Sequence, residues 1–374
     1  MEGEGAGNEG RLAMSSQRDG LLLLGCSALL VVACGEPAHR ELAWEAMGTT
    51  AAAEIYTRTE PDAESAIQEI RSRIEAAATE LDPRSDDGEL GRLNRHAADE
   101  FYSFRQLDLY ACLKLALDYA RESQGAYDPT LGVLRRLYET RVGTASPPRP
   151  TEVDVALGRV GWEKVTVEPE AMAVQFRTPG LQVDLGAVGQ GCALDWAARI
   201  FARPGSLAGL LRVDGVYRVW EHPPEHEHWS VAIRDPRKPD RDLLTLRILN
   251  RGIAACGQRE LEEGSPLPAG IGPPLLDPRT GLPVASDLLA VVTTADSAAD
   301  AAALCEAVYV AGSLQGPGIF QKTRRTEAIL VVRADGGTPY LLASASLEGR
   351  MELSAELNRE TGGEIRYLLP PGSL

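Results

Sequence analysis

The sequence lacks a basic patch that could bind a nucleic acid. Its 374 residues include 38 Lys and Arg against 54 Asp and Glu, a formal net charge of −16. Binding to a phosphate backbone depends on clustered Lys and Arg, so the composition excludes nucleic acid as a partner. The six cysteines contain no Cys-x-x-Cys pair, which argues against structural zinc, and they are too few and too scattered for a disulfide scaffold. No low-complexity linker divides the chain after Trp44.

An uncharged apolar run, LLLLGCSALLVVA at residues 21–33, lies near the N-terminus. It is too short to span a bilayer comfortably, but it has the length of the core of a secretory signal. Cys34 follows it directly, and this arrangement resembles a bacterial lipobox, in which the cysteine is lipidated and becomes the mature N-terminus. The alternative is a buried apolar strand that ends on a chance cysteine.

The lipobox interpretation divides the chain into three segments. We expect residues 1–33 to be a signal peptide of the lipoprotein type, whose start is Met1 or Met14. Residues 34–44 would hold the lipidated cysteine and a short linker, and residues 45–374 would form the folded body. Five further cysteines remain, an odd number, so at least one thiol would stay unpaired even in an oxidising compartment.

The periodicity of apolar residues predicts an α+β fold for the body. Helical and strand-like stretches alternate without a regular βαβ rhythm, which argues against a doubly wound sheet. The expected helices are 61–81, 107–123, 193–201 and 297–311; the expected strands are 51–57, 164–168, 173–177, 229–234 and 329–333; and the expected surface loops are 142–150 and 221–228.

A glycine-rich stretch, VDLGAVGQG at residues 183–191, precedes the third expected helix. We expect it to form a turn between a short strand and that helix. Glycines allow a ligand to approach the backbone closely, and the N-terminus of a helix favours anions. Such turns are also common where no ligand binds, so this stretch indicates a binding site only when other motifs accompany it.

Five other motifs follow one another along the body. They are AMGTT at 46–50, DGELGRLN at 87–94, GAYDPTLG at 125–132, WSVAIRDP at 229–236 and LDPRTG at 276–281. In this order and at these intervals they resemble the ApbE-type FAD:protein FMN transferases, which are exported bacterial enzymes. The resemblance covers nearly all of residues 47–312 and implies a single large mixed α/β body of that type.

The resemblance also implies a reaction. The family transfers FMN from its substrate FAD to a threonine of a target protein, here expected to be an exported flavoprotein, with Mg²⁺ bound and with release of AMP. Phosphoryl transfer needs a metal and dipoles aimed at the phosphate oxygens, and a base or metal that activates the incoming hydroxyl. Together with the lipobox, this predicts an enzyme held on the periplasmic side of a bacterial membrane by the lipid on Cys34.

The same resemblance assigns residues to the site. Asp184 and Glu306 are the implied catalytic residues; Met47, Ala126, Tyr127, Asp128, Asp184 and Gln190 would bind FAD; and Ala187, through its carbonyl, Ala302 and Glu306 occupy the metal-ligand positions. Each role has a structural alternative. Met47 could be core packing, Asp128 could be a turn residue before a proline, and Asp277 with Arg279 could be a turn ion pair of little energy.

The sequence departs from the family pattern at the metal-ligand positions. The family takes an Asp and, four residues on, a Thr from the helix that precedes its final Val-x-Gly stretch. Counted back from Gly312, these places hold Ala302 and Glu306. Mg²⁺ prefers oxygen ligands in near-octahedral geometry, so Glu306 could supply a substitute oxygen at a shifted position. Asp300 points about 200° around the helix from position 302, so we do not expect it to replace the lost carboxylate.

Other departures change charges near the phosphates. The lysine usual after the glycine turn is Gln190, the histidine usual before LDPRTG is Pro274, and two further stretches read RVDG at 212–215 and AACGQ at 254–258. Losing one well-placed charge costs about 2–4 kcal/mol of transition-state stabilisation. The departures therefore place the activity in doubt and favour, as the alternative function, a catalytically silent relative that binds flavin nucleotide or a partner protein. Hydrolysis of FAD to FMN and AMP is a weaker possibility.

Two other groups of residues have the composition of possible sites. His226-Glu227-His228 could bind a transition metal, although a solvated acidic loop is the favoured interpretation. Cys256, beside Gly257, could be a nucleophile, but no histidine lies nearby in the sequence, and we interpret it as a substituted serine.

Overall fold

The first strand begins earlier than the sequence predicts. The computed structural model describes residues 36–141, 147–258, 274–323, 325–334 and 336–368, so the expected signal peptide, Cys34 and part of the expected loop at 142–150 lie outside it. Strand β1, Ala38–Ala46, pairs along its whole length with the next strand. The expected linker at 34–44 is therefore wrong from Ala38 onward. His39 and Glu41 lie on the more exposed side of this edge strand, which is why the stretch resembles a linker in composition.

The described residues contain eight α-helices and fifteen strands. The helices are α1 (Glu60–Glu80), α2 (Glu89–His96), α3 (Leu107–Glu122), α4 (Gly132–Glu139), α5 (Pro150–Leu157), α6 (Gly186–Ala197), α7 (Ala298–Phe320) and α8 (Ala355–Thr361). The remaining strands are β2 (Thr49–Thr57), β3 (Tyr102–Ser103), β4 (Val165–Glu168), β5 (Ala173–Phe176), β6 (Ser206–Val213), β7 (Val216–Trp220), β8 (Trp229–Asp235), β9 (Lys238–Ile248), β10 (Gly252–Cys256), β11 (Leu288–Ala295), β12 (Glu327–Val332), β13 (Tyr340–Ser344), β14 (Met351–Leu353) and β15 (Ile365–Leu368). None of these helices combines the length and the apolar composition needed to cross a bilayer.

A nine-stranded sheet organises the fold. Its order is β1-β2-β6-β7-β10-β11-β12-β13-β15, antiparallel except for the last pair. One face packs against α1, α6 and α7, and the other packs against the small sheet β14-β9-β8. Strands β3, β5 and β4 form a third sheet. The predicted α+β class is confirmed.

Local sequence explains why the predicted helices form where they do. The hydroxyl of Thr59 accepts a hydrogen bond from the N–H of Asp62 at the start of α1, and Pro61 occupies the first turn. Ile67, Ile70 and Ile74 then form one buried face, each contributing about 1.5–3 kcal/mol of apolar burial. The predicted helices 61–81, 107–123 and 297–311 and all five predicted strands coincide with observed elements.

Helix α6 corrects the expected glycine turn. The helix begins at Gly186 instead of residue 193, and the expected short strand before it is absent from this described region. Gly191 lies inside the helix, where an added Cβ would stand 2.6 Å from the backbone of Ala298 and Ala299. The carboxylate of Asp195 accepts hydrogen bonds from the N–H groups of those two residues, both at 3.0 Å. The glycine therefore serves the close packing of α6 on the start of α7, not a turn.

Two disulfides tie these helices to their neighbours. Cys112 of α3 is bonded to Cys192 of α6, and Cys256 of β10 is bonded to Cys305 of α7. The interpretation of Cys256 as a substituted serine is wrong, because its sulfur is held in a covalent bond. The four cysteines that the structure describes are all paired, and Cys26 and Cys34 lie outside it.

Replacing Cys112 and Cys192 together by Ala is expected to lower the free energy of unfolding by about 2–4 kcal/mol. The bond joins residues 80 apart in sequence, so removing it releases a long loop in the unfolded chain. Urea unfolding of both proteins in oxidising buffer measures the difference. Equal unfolding midpoints would contradict the expected contribution of this bond.

Candidate functional site

Two adjoining cavities meet at the N-terminal end of α6. The larger has a volume of about 640 Å³ and lies between the β1–β2 turn, the end of α1, α4 and α6. The smaller, of about 280 Å³, lies between residues 126–131, α6, residues 274–278 and α7. Gly186 and Gln190 line both. Both volumes are in or near the range of small-molecule sites, which are concave and few in a protein.

These cavities bring together nearly all of the residues that the sequence assigned to a site. The larger is lined by Met47, Asp184 and Gln190, and the smaller by Ala126, Tyr127, Asp128, Ala187, Gln190 and Glu306. Ala302 lines neither cavity. It is fully buried in the core and has no side-chain donor atom, so its assignment as a metal ligand is wrong. Asp300 accepts a hydrogen bond from the hydroxyl of Tyr119 at 2.9 Å, and it does not replace the missing carboxylate.

Met47 is held at the larger cavity by a tight turn. Met47 and Gly48 alone connect β1 to β2, and both have left-handed backbone angles, with φ of 52° and 74°. Two-residue hairpins favour such angles, but a methionine there is uncommon. The side chain is half-buried against the core and also lines the cavity, so plain core packing does not describe it fully.

Asp184 and Glu306 both bind the first turn of α6. Asp184 accepts a hydrogen bond from the N–H of Gly186 at 2.9 Å, while its own N–H donates to the carbonyl of Pro129 at 2.8 Å. Glu306, which α7 carries, accepts from the N–H of Ala187. Two carboxylates thus occupy the donors that a helix N-terminus would otherwise offer to an anion.

A guanidinium group lies between these two carboxylates. Arg135, on α4, places Nη1 3.7 Å from Oδ1 of Asp184 and Nη2 3.4 Å from Oε2 of Glu306. Burial alone would lower the pKa of Arg135, but the two negative charges raise it above its usual value, so the group is a fixed cation. Burial raises the pKa of the Glu306 carboxyl, and the guanidinium opposes that rise. Sequence reasoning missed Arg135, which lies three residues after the GAYDPTLG motif, because nothing in the sequence marks its pairing with Glu306.

Tyr127, which lines the smaller cavity, has a buried and unpaired hydroxyl. Its side chain is buried, and the hydroxyl has no hydrogen-bond partner among the residues described. Burial raises the pKa of this hydroxyl well above its ordinary value, so it stays a neutral donor. Buried polar groups are nearly always paired, and an unpaired one on a cavity wall indicates a place for a ligand atom.

Asp128 has the structural role that its position before a proline suggested. Its carboxylate accepts hydrogen bonds from the N–H and hydroxyl of Thr130, at 2.8 and 2.7 Å, and from the N–H of Trp162 at 2.9 Å. Burial raises its pKa, and these bonds oppose the rise. The side chain therefore shapes the loop that lines the smaller cavity.

Three positions at which the sequence departs from the family pattern also line the site. Gln190 lies at the junction of the cavities, and Asp214 and Pro274 line the smaller one. Asp214 is at the β6–β7 turn with φ of 52°, and its N–H donates to the carbonyl of Thr50. Its carboxylate adds negative charge, which makes the cations of this site more important for an anionic ligand.

The structure also describes the Asp277–Arg279 pair and the loop that holds His226-Glu227-His228. Asp277 and Arg279 form a turn ion pair, Nη2 to Oδ2 2.8 Å, as the structural alternative expected. His226 and Glu227 are exposed in the loop at 221–228. Across the described ranges, the only trio of His, Cys, Asp or Glu with metal-compatible spacing is an exposed one on β1 and β2, so the His226-Glu227-His228 stretch forms no such cluster.

Comparisons with known proteins identify the family of this chain and its fold. The model of the ApbE family matches residues 47–330. An FAD:protein FMN transferase of Treponema pallidum is 26% identical over 313 residues, which cover 78% of this chain and 85% of the relative. Another, of Salmonella typhimurium, is 25% identical over 323 residues, which cover 84% of this chain and 90% of the relative. Among solved structures, the flavin transferase ApbE from Vibrio cholerae has a TM-score of 0.71 at 22% identity, over 84% of this chain and 99% of that one. The ApbE protein from Thermotoga maritima has a TM-score of 0.70 at 21% identity, with the same coverage. These two structures share the fold described above.

Proposed function

Because the chain belongs to the ApbE family, whose model matches residues 47–330, we propose that it is an FAD:protein FMN transferase. It would move FMN from FAD to a threonine of a target protein and release AMP. The observation that carries this proposal is the meeting of two cavities at Gly186, the smaller of which is lined by Arg135 and by Tyr127, a residue whose buried hydroxyl is unpaired. A nucleotide diphosphate offers acceptor oxygens for both groups.

The proposed reaction is one displacement at phosphorus. The threonine hydroxyl oxygen forms a bond to the FMN phosphorus of FAD, and the bond from that phosphorus to the bridging oxygen breaks. The bridging oxygen keeps the electron pair and leaves as part of AMP. Asp184 and Glu306 are the carboxylates of this site that can accept the hydroxyl proton, and a guanidinium facing the phosphates stabilises their negative charge.

The residues present do not fit the Mg²⁺ that the resemblance implies. Ala302 offers no side-chain oxygen, and the space between Asp184 and Glu306 is already taken by the guanidinium of Arg135. Mg²⁺ binds oxygens at about 2.0–2.1 Å in near-ideal octahedral geometry, and a fixed cation between its ligands would repel it. The proposed reaction therefore involves no metal ion.

Mass spectrometry of an acceptor tests the proposed function. The purified protein, FAD and a threonine-bearing domain of an exported flavoprotein are incubated, and the acceptor mass and AMP are followed. An acceptor that gains the mass of FMN, with AMP released in equal amount, is the expected result. Flavin binding without a mass change would favour the catalytically silent alternative, and AMP release without an acceptor would favour hydrolysis of FAD.

Tyr127→Phe is expected to weaken FAD binding while leaving the fold as stable as before. The hydroxyl has no partner in the described structure, so its removal takes no hydrogen bond from the free protein. A hydrogen bond to a charged phosphate is worth about 1.5–3 kcal/mol, so the dissociation constant should rise about 10- to 100-fold. Titration calorimetry and thermal unfolding measure the two quantities, and an unchanged affinity would remove Tyr127 from the site.

We also propose that the protein is exported and anchored through a lipid on Cys34, on the periplasmic side of a bacterial membrane. The apolar run at 21–33 supports export, and disulfides such as Cys112–Cys192 are typical of oxidising compartments. Processing in a bacterial host should be sensitive to globomycin, and the product should partition into detergent. Both properties should be lost in Cys34→Ala. A wild-type protein that is neither processed nor partitioned into detergent would refute the proposed lipid anchor.

A further inference from the structure

The backbone at the start of α6 leaves room for the guanidinium of Arg135. Gly186 has a left-handed φ of 51°, and a Cβ added there would lie 2.3 Å from Nη1 of Arg135. Any larger residue would expel the arginine from its place between Asp184 and Glu306. Only one-fifth of the Arg135 side chain is exposed. The arginine is therefore an integral part of the site, seated where two carboxylates and a glycine converge.

A second guanidinium lines the neighbouring cavity. Arg136, the next residue of α4, is exposed and lines the larger cavity, and its guanidinium makes no hydrogen bond or ion pair within the part of the chain that the structure describes. Arg84 lines the same cavity but is paired, with Nη1 3.3 Å from Glu139 and Nε 3.5 Å from Asp82. Guanidinium groups bind phosphate oxygens through two parallel hydrogen bonds, which suits a diphosphate.

We propose that the guanidinium of Arg135 takes the place of a divalent cation in this chain. It offsets one of the two negative charges of Asp184 and Glu306 and binds the diphosphate of FAD, with Arg136 adding a second contact from the larger cavity. Flavin-nucleotide binding is then independent of divalent metal. This inference rests on the proposed function, because it takes FAD as the ligand of the two cavities.

Titration of FAD in EDTA and in MgCl₂ tests the inference on the wild-type protein. The two dissociation constants should agree within about twofold, since no ion takes part. Arg135→Ala should bind FAD about 30-fold or more weakly in EDTA, and MgCl₂ should restore most of the affinity, because Asp184 and Glu306 become free to hold the ion. Arg71→Ala is the matched control: Arg71 lies on α1, pairs with Glu75 and lines neither cavity, so the affinity of this variant should change less than about threefold in either buffer.

Binding of Mn²⁺ without flavin, followed by electron paramagnetic resonance, gives a second readout. The wild-type protein should leave Mn²⁺ free, and Arg135→Ala should bind it. If Arg135→Ala does not fold, Arg135→Lys keeps the charge without the planar fork and should lose affinity about 10-fold equally in both buffers. Wild-type binding of FAD that is lost in EDTA and regained in MgCl₂, or wild-type binding of Mn²⁺, would overturn this inference alone. Absence of FAD binding in both buffers would overturn the proposed function and this inference together.

Discussion

Asp184→Ala is expected to lower the rate of FMN transfer by about 100- to 1000-fold. This is the usual loss when one oriented charged group is removed from a site that stabilises a phosphoryl-transfer transition state. Asp184 accepts from the N–H of Gly186 and faces the guanidinium of Arg135. Removing its carboxylate deletes a hydrogen bond that caps α6, which contributes about 1 kcal/mol to stability, and leaves Arg135 positioned by Glu306 alone. The rate is measured as acceptor mass gained per unit time.

Asp87→Ala is the matched control for this loss. Asp87 lines the same cavity as Asp184, but its carboxylate makes no hydrogen bond or ion pair with other described residues. Its rate should fall less than about threefold, as for a solvated surface charge. A rate for Asp184→Ala within that same margin would show that Asp184 has no part in the reaction, whatever the result for Asp87.

Gly191→Ala is expected to lower the free energy of unfolding by about 3 kcal/mol, although Gly-to-Ala substitutions inside helices usually raise it by up to about 1 kcal/mol. The reason is the backbone of α7: the new Cβ would lie 2.6 Å from Ala298 and Ala299, and a main chain cannot move aside as a side chain can. Separating the helices would also stretch the two hydrogen bonds that Asp195 accepts. Urea unfolding gives the free energy.

Gly318→Ala is the control in the same experiment, because its effect on the free energy of unfolding should be absent or of the opposite sign. Gly318 lies near the end of α7, and nothing stands within 4 Å of the position where its Cβ would be. Its substitution should leave stability unchanged or raise it by up to about 1 kcal/mol. Equal effects of the two substitutions would mean that α6 and α7 are not in the close contact described.

The sequence predicted the elements whose signals are local. Helix α1 followed from its apolar period, and Asp300 was rightly excluded from the site by its angle on α7. Helix α6 was misplaced, because its glycines resemble a turn until the backbone of α7 is known. Strand β1 was taken for a linker because the side chains of an edge strand are partly solvated.

The candidate site was predictable as a set of residues but not as an arrangement of charges. The family resemblance selected Met47, Tyr127 and Asp184, and the structure places all three at the two cavities. The ion pair between Arg135 and Glu306 joins residues 171 apart in sequence. No pattern along the chain reports such a contact, so the cation that most changes the chemistry could be found only in three dimensions.

The covalent bond between Cys256 and Cys305 has a practical consequence for anyone preparing this protein. Cys305 directly precedes Glu306, so the bridge fixes the turn of α7 that reaches into the smaller cavity. Protein harvested from a reducing cytosol would hold that turn by packing alone. Inactivity of such a sample could then result from the missing disulfide as well as from the catalytic groups. Free-thiol titration of each batch, before any flavin is added, separates those two causes.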